Sequence, residues 1–557
     1  MKRYILVFFI GFIISFSPAL QAQEHKKNEQ PSMQPKLVVG IVIDQMRSDY
    51  IYRFWSKLGE NGFKKLVNEG FECSNTQYNY VPTYTGPGHT SIYTGTTPET
   101  HGIIGNNWYV KSSGVITYCA VDTTVHAIGG SEKAGQMSPH NLLSTTIGDE
   151  LYLFSNLRSK VIGISMKDRG AIFPAGFSGQ AYWFDNLSNN FITSTYYRKD
   201  SLPVWLQRFN GKNLPQQYLS EVWKPLLDIK EYTESTADDT EYENGFDTAA
   251  KARPVFNYDL SKLKSLDPDL LRTTPFGNTL TKELAIATIE GEKLGEDNFC
   301  DLLSVSFSST DDVGHEFGIN AIETEDIYLR LDKEIAALLE YLDTKFGKEN
   351  VLVFLTADHG AMHNPVFLND NKIPGGVADG NLIRSRIKKL LQKNYGDTSI
   401  FRFYINNQIY LDDITITTRN LDKEKIMNDL RSELLTIHFI ADIFTESSIS
   451  STDYIYGIKG MVRRGFNIKR SGDMCIVYQP GYMKTYGGKK ITAGTEHGSP
   501  FRYDTMVPLY WYGWKIRNGA TVREINITDI AATLSALLKI CQPSGCSGKP
   551  IVELFSK

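Results

Sequence analysis

The sequence predicts an α/β fold in which helices cover both faces of a central, mostly parallel sheet, giving a three-layer sandwich with inserted cap segments. Three short apolar runs, Leu37–Ile43, Leu302–Phe307 and Val351–Ala357, have the continuous hydrophobicity of strands that are buried on both faces. Helix-like segments separate the strand-like ones, which favours parallel pairing. The chain has 557 residues, of which 41% are hydrophobic, so it has ample material for a large core.

The N-terminal residues 1–22 predict a secretory signal peptide. Two basic residues precede an apolar stretch from Tyr4 to Phe16, and small residues follow up to Ala22, where we expect cleavage. An uncleaved anchor is the alternative, but the apolar stretch is short for a membrane span. The sequence therefore predicts a periplasmic or secreted protein, with a flexible polar lead-in over residues 23–35.

Residues 36–557 are expected to form one domain that carries two insertions. Val161–Met166 and Val507–Tyr512 are further strand candidates. The segments at about 173–280 and 395–490 break the alternation of strands and helices. We expect both of these segments to pack over the sheet as cap segments.

The net charge and the cysteine content limit which classes of function the chain can have. The net charge is −4, and it becomes −6 when residues 1–22, which hold two basic residues and no acidic ones, are removed. This mild acidity gives no support for nucleic-acid binding, which prefers clustered basic surface. The six cysteines form an even number, which permits disulfides in an exported chain. Cys541 and Cys546 could close a small loop, and the other pairings stay open.

Each of the three apolar runs leads to an aspartate: Asp44, Asp311 and Asp358. Ligands of open α/β sheets bind beyond the carboxyl ends of such strands. Two histidines, His315 and His359, follow close behind two of these aspartates. Three acids and two imidazoles meeting there would be costly to desolvate without a cation. Bound metal ions are the simplest answer, and they indicate an enzyme.

Local spacing adds two details to this metal hypothesis. Asp311 and His315 are four residues apart, so one face of a helix would present both to one ion, although such pairs are also common as surface salt bridges. His497 lies in the glycine-containing loop Gly494–Pro500. A loop histidine of this kind is a weak signal taken alone.

Thr85 is the candidate nucleophile. It opens a Gly- and Pro-containing stretch that predicts the start of a short helix, where free backbone N–H groups and partial positive charge can hold a phosphoryl group. A threonine hydroxyl becomes a good nucleophile when a metal or a base takes its proton. The alternative is that Thr85 only caps the helix.

Lys167 and Arg169 follow the strand candidate that ends at Met166. Two cations two residues apart at a strand end could both face the site, where a guanidinium fork and an ammonium would each bind phosphate oxygens. An ordinary solvated charge pair is the alternative.

Taken together, these residues resemble the alkaline phosphatase superfamily, and the chain from Lys36 onward is most similar to its PafA-type periplasmic enzymes. The motifs that carry the resemblance, in conserved order along this chain, are Asp44-Gln45-Met46-Arg47, Gly88-His89-Thr90-Ser91, Lys167-Asp168-Arg169, Thr273 to Leu280, Asp358-His359-Gly360-Ala361 and Gly494 to Pro500. The resemblance implies an alkaline phosphatase-like sandwich and a phosphomonoesterase.

The resemblance also implies two Zn²⁺ ions per chain, about 3.5–4 Å apart. The implied ligands are Asp311, His315 and His497 for one ion, and Asp44, Asp358, His359 and Thr85 for the other. Additional Ca²⁺ elsewhere stays open. Thr85 is implied to attack phosphorus and to carry a phosphothreonine intermediate, while Asn106, Lys167 and Arg169 bind the phosphoryl oxygens. The expected partners are small phosphate monoesters, and a monomer is expected.

One departure keeps an alternative open. Pro87, two residues after Thr85, is more typical of the related nucleotide pyrophosphatase/phosphodiesterase branch, so a phosphodiesterase or pyrophosphatase is the main alternative. A non-enzymatic metal-dependent binding protein is the alternative from another class. His89, His101 and His363 match no ligand position of the family, and we expect them to be structural.

Overall fold

The structure, a computed structural model, describes residues 34–246, 254–264, 269–484 and 493–555. The predicted signal peptide and nearly all of the predicted lead-in lie outside the described residues. Ten strands form the main sheet: β1 Leu37–Ile43, β2 Phe71–Cys73, β3 Ala127–Ile128, β4 Val161–Ser165, β5 Gln180–Asp185, β6 Asn190–Ser194, β7 Asp301–Phe307, β8 Val351–Ala357, β9 Leu509–Gly513 and β10 Gly519–Thr521.

The centre of the sheet is parallel, as the three apolar runs predicted. The strand order is β10-β2-β9-β8-β1-β7-β4-β5-β6-β3. The five strands from β8 to β5 in that order pair in parallel, whereas β9 and β6 run antiparallel to their inner neighbours. Every residue of β1, β7 and β8 is buried, because helices cover both faces.

Eight helices belong to the layers on this sheet: α1 Phe63–Glu69, α2 Thr85–Thr94, α3 Ile147–Phe154, α4 Asp168–Ala175, α5 Phe276–Glu292, α6 Ser309–Phe317, α7 Ile322–Phe346 and α8 Asp529–Leu538. Helices α2, α3, α4 and α8 pack on one another, and α1, α5, α6 and α7 form a second contacting group. Gly40 of β1 lies so close to α2 that an added Cβ would be 2.4 Å from the Tyr93 hydroxyl. Close approach of α2 to the sheet therefore requires this glycine.

The second predicted insertion builds a smaller sheet with its own core. Its strands, in spatial order, are Phe401–Ile405, Gln408–Leu411, Met474–Tyr478 and Ile440–Thr445. The helices Gly380–Tyr395 and Lys423–Leu434 cover it, and Ile383, Leu391, Leu430 and Ile476 are among the residues of the shared core. The segment that carries this cap sheet thus begins before the predicted boundary at about 395, because the helix Gly380–Tyr395 packs into the same core.

The first predicted insertion also differs from its expected bounds of 173–280. Residues 180–194 supply β5 and β6, which extend the main sheet rather than pack over it. Because these residues are largely aromatic and polar, the sequence did not predict these two strands towards the edge of the sheet. The segment after Ser194 contains only short elements among its described residues, such as Val204–Asn210 and Leu214–Tyr218.

Short elements complete the described chain. The remaining strands are Thr76–Gln77, Asn107–Val110, Val115–Tyr118, Val222–Trp223, Tyr258–Asp259, Gly376–Ala378, Tyr482–Lys484, Met506–Val507 and Ile525–Asn526. The remaining α-helices are Tyr50–Arg53, Pro98–His101, Glu132–Gly135, Leu260–Leu263, Pro365–Asp370, Asp413–Thr418, Glu446–Ser451, Gly457–Gly465 and Arg502–Thr505. No helix within the described ranges is long and apolar enough to cross a membrane.

The cysteines are free thiols in the structure, including Cys541 and Cys546, for which the sequence allowed a disulfide. Cys546 packs against the turn at Gly95, where its Sγ would lie 2.6 Å from an added Cβ. Cys541 is instead exposed. The two thiols therefore occupy different environments.

Candidate metal centre at the carboxyl end of the sheet

Strand order brings the predicted acids together. β1 lies between β7 and β8, and the last residue of β1, Ile43, is in register with Phe307 and Ala357. Asp44 and Asp358 follow two of these strand ends directly, and Asp311 lies on α6 just beyond the third. The carboxyl ends of three neighbouring parallel strands therefore present three carboxylates at one edge of the sheet.

Asp44, Asp358 and His359 form the inner set. Their candidate ligand atoms all lie within 4.8 Å of one another, and all three side chains are fully buried. His359 Nε2 lies 3.4 Å from Asp44 Oδ1 and 3.5 Å from Asp358 Oδ2. These three atoms are buried and have no hydrogen-bond partner. Because such atoms are costly to bury without a partner, the inner set fits a cation.

The electrostatics of the inner set point the same way. Burial and the neighbouring Asp44 carboxylate raise the pKa of Asp358 well above its ordinary value. Burial also lowers the pKa of His359, which favours the neutral imidazole. A neutral imidazole beside two mutually repelling carboxylates is the ligand form that a metal ion needs.

Asp311, His315 and His497 form the outer set, and their candidate ligand atoms also lie within 4.8 Å of one another. Asp311 Oδ1 is 3.1 Å from His315 Nε2 and 3.8 Å from His497 Nε2. Although burial opposes it, Asp311 raises the pKa of His315 to about 10. The His315 side chain is 30% exposed, so this set is more open than the inner one.

Backbone carbonyls orient all three imidazoles in the same way. The Nδ1 atoms of His315, His497 and His359 lie 2.8, 2.7 and 3.0 Å from the carbonyl oxygens of Thr495, Thr83 and Gly360. A carbonyl can only accept, so each Nδ1 must carry the proton and donate it. In the neutral ring each Nε2 is then left with a lone pair, which is the usual arrangement of metal-binding histidines. A cation at the outer set would take the place of the Nε2 proton that Asp311 favours on His315.

Two glycines permit the close approaches on which the centre depends. Gly494 has a φ of +72°, and a Cβ there would lie 1.8 Å from the carbonyl oxygen of His315. Gly88 of α2 faces Asp358, whose backbone oxygen would lie 2.5 Å from an added Cβ. The first glycine brings the His497 loop onto α6, and the second brings α2 onto the inner set.

Thr85 is the first residue of α2 and is buried. The next backbone N–H, that of Gly86, donates to Asn106 Oδ1 at 2.8 Å. Asn106 is thereby fixed beside the helix N-terminus, where positive partial charge favours anions. The structure thus places Thr85 and Asn106 together, whereas the role of Asn106 was implied only by the family resemblance.

Lys167 connects the two sets. Its Nζ lies 2.9 Å from Asp44 Oδ2 in the inner set and 2.5 Å from Asp311 Oδ2 in the outer set. Arg169, two residues on, donates from one terminal nitrogen to the Tyr118 hydroxyl at 3.1 Å, while its Nε is buried without a hydrogen-bond partner. Both cations therefore belong to the same edge of the sheet as the two sets.

A cavity of about 280 Å³ opens onto the outer set. Its wall includes His315, His497 and Glu496, and the cap sheet contributes Asn406 from a hairpin turn. Asn406 has a φ of 52°, in the left-handed region that asparagine tolerates. The cap sheet therefore forms part of the entrance to the site.

The three histidines that we expected to be structural contact hydroxyl, carbonyl or amide groups. His89 lies 3.1 Å from the Thr85 carbonyl oxygen through Nδ1 and 2.9 Å from Ser306 Oγ through Nε2. His101 contacts Ser91 Oγ at 3.0 Å. His363 lies 3.1 Å from the Asn320 side-chain nitrogen. None of the three joins either ligand set among the described residues.

Gln45 is a site residue that the sequence analysis missed. Its backbone N–H donates to Asp358 Oδ1 at 3.1 Å, and its side-chain amide donates to Asp311 Oδ1 at 2.5 Å. Gln45 has a φ of 62°, so the chain turns sharply just after Asp44. One residue thus links both sets, and its place in the Asp44-Gln45-Met46-Arg47 motif was its signal in the sequence.

The chain is similar to one known protein family and to several known proteins. The model of a family described as type I phosphodiesterase/nucleotide pyrophosphatase matches residues 38–500. Alkaline phosphatase PafA of Elizabethkingia meningoseptica is 45% identical over 553 residues, covering 98% of this chain and 98% of that protein. The calcium-transporting ATPase of Myroides odoratus is 44% identical, covering 94% of this chain and 95% of that protein.

A solved structure agrees with the fold. The crystal structure of wild-type alkaline phosphatase PafA superimposes with a TM-score of 0.90 at 44% sequence identity, covering 94% of this chain and 99% of that one. The large mixed sheet with helices on both sides is thus shared along nearly the whole chain.

Proposed function

The chain belongs to the type I phosphodiesterase/nucleotide pyrophosphatase family and is an alkaline phosphatase, and we propose for it a two-zinc mechanism. Thr85 is the nucleophile in this mechanism. The observation that carries the proposal is the meeting of two three-residue ligand sets beside α2, the inner set fully buried and the outer set partly exposed. The overall reaction converts a phosphate monoester and water into an alcohol and inorganic phosphate.

The donor atoms favour zinc over calcium at both sets. Each set combines carboxylate oxygens with imidazole nitrogens, which suit Zn²⁺, whereas Ca²⁺ prefers oxygen ligands alone. Asp311, His315 and His497 would hold one ion, and Asp44, Asp358 and His359 the other. When bound, such ions supply positive charge that neutralises the attacking and leaving oxygens of an in-line displacement.

Thr85 performs the chemical step in this proposal. Its Oγ forms a bond to phosphorus and gives up its hydroxyl proton to solvent, while the bond from phosphorus to the alcohol oxygen breaks and the alcohol leaves with a proton from solvent. Water then hydrolyses the phosphothreonine, which releases phosphate and restores the hydroxyl. The buried position of Thr85 at a helix N-terminus favours the negative charge that gathers there.

The phosphoryl oxygens would be bound by Asn106, Lys167 and Arg169. Asn106 is held by the Gly86 N–H, so its side-chain amide nitrogen is directed away from that contact. The Arg169 Nε is buried without a hydrogen-bond partner and can donate to an anion. A monoester dianion offers more charge to these cations than a diester monoanion does, which favours monoesters.

Phosphodiester hydrolysis is the alternative activity of this family, and Pro87 keeps it open. Relative rates on a nitrophenyl phosphate monoester and its methyl diester discriminate the two activities. We also propose export to the periplasm or the exterior, where small phosphate monoesters are the partners.

Replacement of Thr85 tests the nucleophile. We expect Thr85→Ala to abolish turnover while two zinc ions per chain remain bound, because six other side chains still hold them. Thr94→Ala is the matched control, since Thr94 lies on the same helix and its hydroxyl only bonds the Thr90 carbonyl at 2.7 Å. Full activity in Thr85→Ala would refute the assignment.

Replacement of both cations tests the substrate preference. We expect Lys167→Ala with Arg169→Ala to reduce monoesterase activity far more than diesterase activity. Lys160→Ala is the control, because Lys160 lies at the opposite end of β4 and bonds the Glu292 carbonyl at 2.6 Å. Equal losses on both substrates would show that the two cations do not set the preference.

A further inference from the structure

Asp312 stands next to the outer-set ligand Asp311 but belongs to neither ligand set. Its Oδ2 lies 3.4 Å from Lys167 Nζ and 3.0 Å from Arg272 Nε. The Asp312 side chain is 19% exposed and the Lys167 side chain 3% exposed, so little water screens the pair. A carboxylate without a ligand role thus lies between a phosphate-binding candidate and a second cation.

Arg272 fixes the position of this carboxylate. It precedes α5 and also pairs with Asp269 at 3.2 Å. Its contact with Asp312 is an ion pair rather than a hydrogen bond, and Asp312 Oδ2 is a buried atom that accepts no hydrogen bond. The oxygen therefore lies beside two cations and keeps its capacity to accept a hydrogen bond.

Lys167 has three carboxylate neighbours, and only one of them is outside the ligand sets. Asp44 and Asp311 each belong to a set that fits a cation, whereas Asp312 does not. Carboxylates that bind ions have less capacity to hold an ammonium group. Asp312 is then the neighbour that can still accept a hydrogen bond from the Lys167 ammonium group.

We propose that Asp312, braced by Arg272, is a positioning residue that holds the Lys167 ammonium where it meets the doubly charged phosphoryl group of a monoester. This inference rests on the proposed function, since it assigns Lys167 to the substrate. Asp312 touches no reacting atom and acts through Lys167 alone. It therefore sets the preference for monoesters over diesters without belonging to the chemical step.

The test compares Asp312→Asn with Asp269→Asn in the zinc-loaded enzyme. Asp269→Asn is the matched control, because it removes the other carboxylate of Arg272 while leaving Lys167 untouched. We expect Asp312→Asn to lower kcat/KM for the monoester about 10-fold and that for the diester about 2-fold or less, as loss of one charge-assisted contact requires. We expect Asp269→Asn to change kcat/KM for neither the monoester nor the diester.

A double-mutant cycle separates this inference from the proposed function. If Asp312 acts through Lys167, Asp312→Asn has no further effect on the ratio of the two rates in a Lys167→Ala enzyme. If Lys167→Ala alone leaves the ratio unchanged, the proposed role of Lys167 fails and this inference fails with it. If Lys167→Ala lowers the ratio and Asp312→Asn does not, only this inference is overturned.

Binding of inorganic phosphate gives a readout that is independent of turnover. We expect calorimetry to show about 10-fold weaker phosphate binding for Asp312→Asn at unchanged zinc content. Unchanged or tighter phosphate binding would overturn the proposal. If Asp312→Asn fails to fold, Arg272→Gln provides the same test, because Arg272 holds the Asp312 carboxylate in place. We expect Arg272→Gln to lower the monoester-to-diester ratio of kcat/KM by a smaller factor. An unchanged ratio would contradict the proposal.

Discussion

The inner and outer ligand sets share a composition of carboxylates and imidazoles but differ in environment. Asp44, Asp358 and His359 are fully buried, and each presents an atom without a hydrogen-bond partner. In the outer set, His315 is partly exposed, and Asp311 already contacts Gln45 and Lys167. The rings of His359 and His497, one from each set, stack 3.5 Å apart.

The difference in environment indicates that one edge of the sheet holds two sites with different roles. The inner set follows two strand ends directly, so its geometry is fixed by the core, and α2 approaches it closely at Gly88. The outer set depends on α6 and on the His497 loop, and it faces the cavity through which an alcohol can leave. We therefore expect the inner site to tolerate change less than the outer site.

The largest expected effect is at the inner set. Asp358→Asn should lower kcat for the monoester on the order of 10⁴-fold, because the ion that we propose to activate Thr85 is lost and residues that act as a unit fail together. Excess zinc should not restore the activity. Recovery of wild-type rates on adding zinc would remove the distinction between the sets.

A smaller effect is expected at the outer set. His315→Ala should lower activity at least about 100-fold at limiting zinc, since loss of even a supporting residue around a metal costs 10–100-fold. Added zinc should restore part of the activity, because Asp311 and His497 remain and the site is open. A variant that shows no dependence on zinc concentration would contradict this expectation.

Metal removal should reverse the effect of one inner-set substitution on stability. In zinc-free protein, Asp358→Asn relieves the repulsion between two buried carboxylates and should raise the free energy of unfolding. In zinc-loaded protein it should lower the free energy of unfolding by about 3 kcal/mol, the stabilisation expected of a ligand at 100 times its dissociation constant. Urea unfolding with and without a chelator measures both values, and the same sign in both would count against the inner metal site.

A buried acid outside both ligand sets should respond to protons and not to zinc. Burial raises the pKa of Glu243 from 4.5 to about 8, and one of its oxygens has no hydrogen-bond partner. The folded state then holds this proton more tightly than the unfolded state, so its contribution to stability falls as pH rises from about 4.5 to about 8. Glu243→Gln should remove that fall and stabilise the protein at pH 8 by about 4 kcal/mol, with or without zinc.

Much of the centre could be predicted because its residues carry local signals. Asp44, Asp358 and His359 follow apolar runs directly, and Asp311 with His315 shows helical spacing. His497 had only a weak local signal, and the family resemblance supplied its role. All seven predicted ligand positions lie at one edge of the sheet, although their roles as ligands remain proposals.

The rest depends on contacts between distant parts of the chain. Gln45 reaches Asp311 and Asp358 across 266 and 313 residues, and its place next to Asp44 does not by itself predict these two contacts. The pairing of Asp312 with Arg272 likewise exists only once α5 and α6 have packed. The strands at 180–194 escaped prediction because their aromatic and polar residues lack the apolar run of a central strand.

Elemental analysis of the purified, active enzyme tests the central claim most directly, because the account requires two occupied sets. The account predicts two zinc ions per chain, falling to about one in Asp358→Asn while Thr85→Ala keeps both. Fully active, folded protein that holds no zinc or other divalent metal would contradict it.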